Sequence, residues 1–145
     1  MIHLQYEGKI SLGKNLREAG EILRFFKQEI EEHMVEEEKI LFPFLKTHLP
    51  RLDPLMLYLS SEHQDFRRHV AWFKFFLDKL SKKQRPSDRG EAIQKLKGVG
   101  IYLIHLLRAH LQGENEILCK VADRELRQDE KKELKRRLQR ESSGR

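Results

Sequence analysis

Two stretches of this chain, 77 residues apart, carry one spacing of histidine and glutamate: His33 with Glu37, and His110 with Glu114. The first reads His33-Met34-Val35-Glu36-Glu37-Glu38-Lys39-Ile40-Leu41 and the second His110-Leu111-Gln112-Gly113-Glu114-Asn115-Glu116-Ile117-Leu118. Both fit H-x-x-x-E-x-x-I-L. Residues four apart share one face of a helix, so an imidazole and a carboxylate at this spacing can grip one cation. A single such pair carries little weight in a glutamate-rich chain, where Glu29 and His33 make another. A repeated pair asks for more than packing.

The elements that must position these residues are long helices. From about Asn15 to Lys46 the apolar stripe is Ile22, Phe26, Ile30, then His33 and Glu37, then Ile40 and Phe44, and these steps of four and three are helical. Pro43 and His48-Leu49-Pro50 are expected to end it. A second helix is predicted from Asp53, with Pro54 in its first turn and a stripe of Met56, Leu59, His63, Phe66, Val70, Phe73, Leu77 and Leu80. Ser81 to Ser87 reads as a loop. A third helix, from near Asp88, has the stripe Leu96, Val99, Leu103, Leu107, His110, Glu114, Ile117 and Val121. A fourth, charged helix is expected over 128–141, thin in apolar residues. Counting from the loops at about 1.5 Å per residue, antiparallel packing brings His33, His63 and His110 to within roughly 5 Å of one level.

Glu37 and Glu114 interrupt apolar stripes, so a bundle buries both. A buried carboxylate without a partner costs several kcal/mol or takes up a proton. No lysine or arginine occupies the matching positions, Arg67 beside the His63 stripe excepted. Three imidazoles and two carboxylates, without a thiolate, suit iron, manganese or zinc, and two carboxylates able to bridge make a two-metal site feasible. The expected metal residues are His33, Glu37, His63, His110 and Glu114.

These residues resemble the hemerythrin-like, or HHE cation-binding, family. Glu32-His33 through Glu37-Glu38, followed by Ile40-Leu41-Phe42-Pro43, is similar to that family's second-helix signature. Glu62-His63 is similar to the third-helix signature, and His110 to Glu114 with Ile117-Leu118 to the fourth. The resemblance covers about residues 15 to 122. It implies a non-haem di-iron centre bridged by Glu37 and Glu114 that meets dioxygen, nitric oxide or peroxide, in a carrier or sensor ahead of an enzyme. Two features depart from the pattern. Arg67 stands where a second third-helix histidine is expected, and the counterpart of the first helix would fall before Met1. His3 is the one upstream histidine, but hairpin geometry leaves it about 15 Å from the site at 1.5 Å per residue, so it is not expected to be a ligand.

The fold expected is therefore all-α: an antiparallel bundle of three long helices over residues 15–122, an N-terminal segment 1–14, and a basic C-terminal helix and tail 123–145. The open side of a three-helix bundle could be closed by the N-terminal segment, by the C-terminal helix or by a second copy, and exposed aromatics at Phe25, Phe26, Trp72 and Phe75 point to a homodimer. With 36% charged residues and no apolar run of membrane-spanning length, no membrane association is expected. Cys119, the sole cysteine, precludes an internal disulfide and fits a cytoplasmic setting. The net charge of +6 is concentrated after Arg124. No aromatic lies there to stack on bases, so nucleic acid is not an expected partner. The competing expectation is a metal-free helical module that dimerises or docks a partner.

Overall fold

The computed structural model describes residues 12–143. His3 and the N-terminal apolar residues Ile2, Leu4, Tyr6 and Ile10 lie outside the described residues. Four helices account for nearly all of the described chain: α1 (residues 12–48), α2 (Asp53–Leu80), α3 (residues 86–125) and α4 (Gln128–Ser143). No strand occurs among the described residues, and none of these helices is long and apolar enough to cross a membrane.

α2 is a regular α-helix from end to end. All eight residues of its predicted stripe, from Met56 to Leu80, are buried. α1 and α3 are different, because wider π-helical turns interrupt them at Phe26–Ile30, Glu37–Leu41 and Glu114–Cys119. Such a turn inserts one residue into the helical register and rotates the residues beyond it by about 100°. The apolar stripe is displaced accordingly. Beyond Glu114 the buried residues are Leu118 and Ala122, not the predicted Ile117 and Val121, and Ile117 is 50% exposed against 0% for Leu118. In α1 the residues that go inward are Met34, Phe42 and Leu45, with Phe44, in place of Ile30 and Ile40. Phe26 is buried with its ring edge-on to Phe66 at 5.3 Å, as its place on the stripe predicts and against its place among the exposed aromatics.

The same geometry explains why Pro43 does not end α1. In a regular helix interior proline costs about 3 kcal/mol, for its missing N–H and its clash with the preceding turn. Pro43 is the second residue after the turn Glu37–Leu41, where the i to i−4 ladder is already broken, and lies in the first turn of the α-helical stretch Phe42–His48. The chain leaves the helix only at Leu49, whose backbone is non-helical, before a 3-10 turn over Pro50–Leu52.

The chain divides into two compact units. One takes the residues up to Ile30 together with Gln64–Arg108, and the other Glu31–His63 together with the residues from Ala109 onward. The first is centred on Phe26, packed edge-on against Phe66 and Phe73, and leaves Trp72, Phe75, Ile101 and Tyr102 exposed. The second has a core of Phe42, Phe44, Leu45, Leu52, Met56, Leu59, Leu118, Ala122 and Leu126, against which Leu134 of α4 packs. Further contacts hold α4 in place within this unit. His48 Nδ1 meets Glu130 at 2.7 Å, Lys39 meets Glu141 at 3.5 Å, and the Arg137 guanidinium lies 5.3 Å above the Phe44 ring. The Glu130 carboxylate also accepts from the Arg127 backbone N–H at 2.8 Å, which caps the helix start. The basic character of α4 is largely internal, since Arg136 and Arg137 both pair with Glu133 and Lys131 pairs with Asp123.

The displaced register gives a direct check. Leu118→Ala should lower unfolding free energy by about 2–5 kcal/mol, and Ile117→Ala by less than about 1 kcal/mol. Urea denaturation of both variants decides it, and a larger loss at Ile117 would mean that α3 runs through Glu114 without a π turn.

Candidate metal centre

The second unit gathers all five residues that the repeat and the helix levels single out. α1 supplies His33 and Glu37, α2 supplies His63, and α3 supplies His110 and Glu114. In each copy of the repeat the glutamate is the first residue of a π turn, Glu37 in one and Glu114 in the other. The likeness of the two segments thus extends from residue types to local backbone. Turns of this kind concentrate at functional sites, because a widened turn re-aims a side chain at the cost of regular hydrogen bonding.

Glu37 is the hub. One carboxylate oxygen, Oε1, lies 2.9 Å from His63 Nε2 and 3.5 Å from His110 Nε2, and the other, Oε2, lies 3.2 Å from His33 Nε2. Glu114 mirrors it, with Oε2 at 3.3 Å from His110 Nε2 and Oε1 at 3.4 Å from His33 Nε2. Two groups of three donors therefore share Glu37: Glu37 with His63 and His110, and His33 with Glu37 and Glu114. Donor atoms each about 2.1 Å from a common ion lie roughly 3.0–3.4 Å from one another, which is the spacing seen here.

Hydrogen bonding fixes which nitrogen faces inward. His63 Nδ1 is 2.7 Å from Glu38 Oε2, and His110 Nδ1 is 3.2 Å from Glu62 Oε1. A carboxylate only accepts, so each ring donates from Nδ1 and turns Nε2 toward the centre. The two Nε2 atoms stand 3.1 Å apart. In neutral rings their lone pairs converge on each other and on the carboxylates. Both oxygens of Glu37 and Oε2 of Glu114 are buried and receive no aligned hydrogen bond among the described residues. Converging lone pairs of this kind need a cation or protons between them. The nitrogen and oxygen donor set fits iron, manganese or zinc.

Protons show how strongly the site asks for positive charge. Glu114 and then Glu37 raise His33 to about 10 against the effect of burial. Burial works to lower His110, yet Glu114 and Glu37 outweigh it and push this group, too, up to about 10. For Glu37, burial favours the neutral acid, but the imidazoles of His110, His33 and His63 prevail and hold the carboxyl well below the usual carboxylate range. Among the described residues, every ion pair of Glu37 and Glu114 is with a histidine.

Sequence reasoning missed two residues and misjudged the exposure of a third. Glu38 and Glu62, beside the ligand-type residues in sequence, orient His63 and His110 in the manner of carboxylates behind metal-bound imidazoles. Their only signal is adjacency, in Glu37-Glu38 and Glu62-His63. His33, expected inside the stripe, is 43% exposed, whereas Glu37 and His63 are 2% and 1% exposed. The other histidines among the described residues serve elsewhere: His48 pairs with Glu130, His69 faces Asp65 at 3.1 Å, and His105 is exposed. Gly113 is not required by lack of space beside Glu114, since an added Cβ would make an ordinary 3.8 Å contact with Leu59. Burial, and then the charges of Glu114 and Glu37, push the Cys119 thiol up, so that it stays protonated and belongs to neither donor group.

A family model for the hemerythrin HHE cation binding domain matches residues 2–122. α4 lies beyond the matched range. No curated protein and no solved structure matches the chain.

The pH dependence of chelator-treated protein is set by these shifts. Groups raised in the folded state from 6.5 to about 10, His33 and His110, contribute stability fully below about 6.5 and lose it as pH climbs toward 10. Glu37, lowered from 4.5, contributes stability above that value and loses it as pH falls below it. The urea midpoint should therefore peak between about 4.5 and 6.5 and decline on both sides. A midpoint that rises steadily from pH 6.5 to 10 would contradict the charge arrangement described.

Proposed function

This chain belongs to the hemerythrin HHE cation-binding domain family, and from that membership we propose that it is a non-haem iron protein that binds or senses dioxygen or a related small molecule. The observation carrying this reading is the sharing of Glu37 between two donor groups. Glu37 and His63 with His110 would hold one cation, and His33 with Glu37 and Glu114 the other, with Glu37 common to both. Iron is the metal proposed, with manganese or zinc as the alternatives that the same donors allow. A pair of ferrous ions, when bound, supplies electrons and open coordination positions for dioxygen, nitric oxide or peroxide.

The chain's own side chains do the rest. Glu38 and Glu62 hold two imidazoles in the tautomer that presents Nε2. Phe42 lies parallel to the His63 ring at 5.8 Å and closes that side against water. His33 is the open edge of the centre. Among the described residues the histidines His48 and His69 pair away from the centre, which favours a carrier or sensor over an enzyme.

A second reading, a module that pairs with another copy, is favoured by one observation. Trp72, Phe75, Ile101 and Tyr102 leave apolar surface exposed on one unit. A homodimer on that surface is compatible with the first reading, because α4 already lies over part of the centre within the chain.

Anaerobic reconstitution with ferrous iron should load close to two irons per chain and raise the melting temperature, since a ligand that binds only the folded state stabilises it. Air should produce near-ultraviolet charge-transfer absorption that bleaches on reduction. Glu37→Ala should reduce loading to less than half, because it removes a donor from both groups. Fewer than half an iron per chain in the parent protein, with chelators leaving its stability unchanged, would replace this reading with the metal-free module.

A further inference from the structure

Of the five residues at the centre only His33 is exposed, and it faces a solvent-accessible groove. His33, Glu37 and Glu114 form part of the wall of a groove of about 440 Å³ that α4 covers. A diatomic molecule needs only about the room of a water, roughly 30 Å³. The space beside the centre is therefore more than ten times what the small ligands demand. It falls within the 300–1,000 Å³ typical of sites for organic molecules.

The walls state what kind of molecule fits. Leu41 and Leu126 line one part, and Leu134 and Leu138 present the apolar face of α4. Four lining residues away from the centre carry charge, and three of them are already engaged. Lys131 pairs with Asp123 at 3.2 Å, and Glu36 accepts from Ser142 at 3.5 Å. Lys135, one helical turn from Lys131 on the same wall, has no partner among the described residues. The groove thus offers an apolar channel with one uncommitted cation on its rim and the His33 edge of the centre on its wall.

We propose that this groove binds an amphipathic monocarboxylate, its aliphatic or aromatic body against Leu126, Leu134 and Leu138 and its carboxylate on Lys135. A body of roughly ten to fifteen non-hydrogen atoms suits the volume. Lys131, Leu134, Lys135 and Leu138 of α4 lie beyond the residues that the family model matches, so this specificity belongs to the chain rather than to the matched domain. An occupant covers His33 and thereby limits what reaches the centre. None of this depends on which cation is held, or on whether one is.

The test uses full-length, chelator-treated protein, so that a failed metal reading leaves it intact. Decanoate, below its micelle concentration, is titrated calorimetrically beside decanol, which has the same body without the charge. Saturable one-to-one binding is expected, with decanol about tenfold weaker and Lys135→Glu weakening decanoate by about tenfold while leaving decanol unchanged. Leu138→Trp, which fills the channel, should weaken both. Cys119, the sole cysteine, lies on the same wall, so decanoate should also slow its alkylation. The proposal is overturned by the absence of saturable binding, by equal binding of decanoate and decanol, or by an affinity that Lys135→Glu and Leu138→Trp leave unchanged.

Discussion

The structure depends on one electrostatic constraint: two carboxylates and two imidazoles are buried at a point where no lysine or arginine among the described residues pairs with them. Removing ionised carboxylates from water costs several kcal/mol each unless positive charge accompanies them. Here that charge comes from protons on histidine or from a cation in their place, and Glu37 touches every imidazole that can carry it. Three helices meet at Glu37, so the register of each is tied to the position of one carboxylate. A buried group satisfied only when three separate elements arrive in register specifies their arrangement more sharply than apolar packing does, because an apolar contact tolerates a slip that an ion pair does not.

The π turns show how that constraint is met in the backbone. A regular helix through Glu37 or Glu114 would aim the next apolar residues along Ile40 and Ile117. Widening the turn at each glutamate rotates the chain so that Phe42, Leu118 and Ala122 enter the core of the same unit. The turn that directs the carboxylate therefore also sets the packing beyond it. Core and centre are coupled, and the irregular backbone persists because both sides reward it.

This coupling accounts for how much could be read from the sequence. α2 has no π turn, and its stripe was legible residue by residue from Met56 to Leu80. α3 was legible up to its π turn and shifted by one residue after it, and in α1 the stripe holds at Phe26, Glu37 and Phe44 but not at Ile30 and Ile40, since a period of 3.6 carries no sign of an inserted residue. The gathering of His33, Glu37, His63, His110 and Glu114 was foreseeable from spacing and from level between helices. The roles of Glu38 and Glu62 were not, because in a chain with 23 acidic residues a neighbouring glutamate is unremarkable until its partner imidazole is seen. The docking of α4 was equally hidden. It rests on Leu134 and on pairings such as His48 with Glu130, which join residues more than eighty positions apart and leave no periodic trace.

The two donor groups are not equivalent, and the inequality has a direction. His63 and His110, both in one group, are each held from behind by a carboxylate, and both are buried. His33, the sole imidazole of the other group, has no partner on its second ring nitrogen among the described residues and is partly exposed. A cation between His63 and His110 would sit in a preorganised and dry position, with little rearrangement to make on arrival. A cation at His33 would have one less constrained imidazole, the shared Glu37 with Glu114, and solvent on the groove side. If two cations bind, rigidity on one side and openness on the other would divide the labour: the first position would anchor, and the second would meet whatever enters. Since the open side faces the groove that α4 covers, the segment beyond the matched domain lies where entry to the centre is decided.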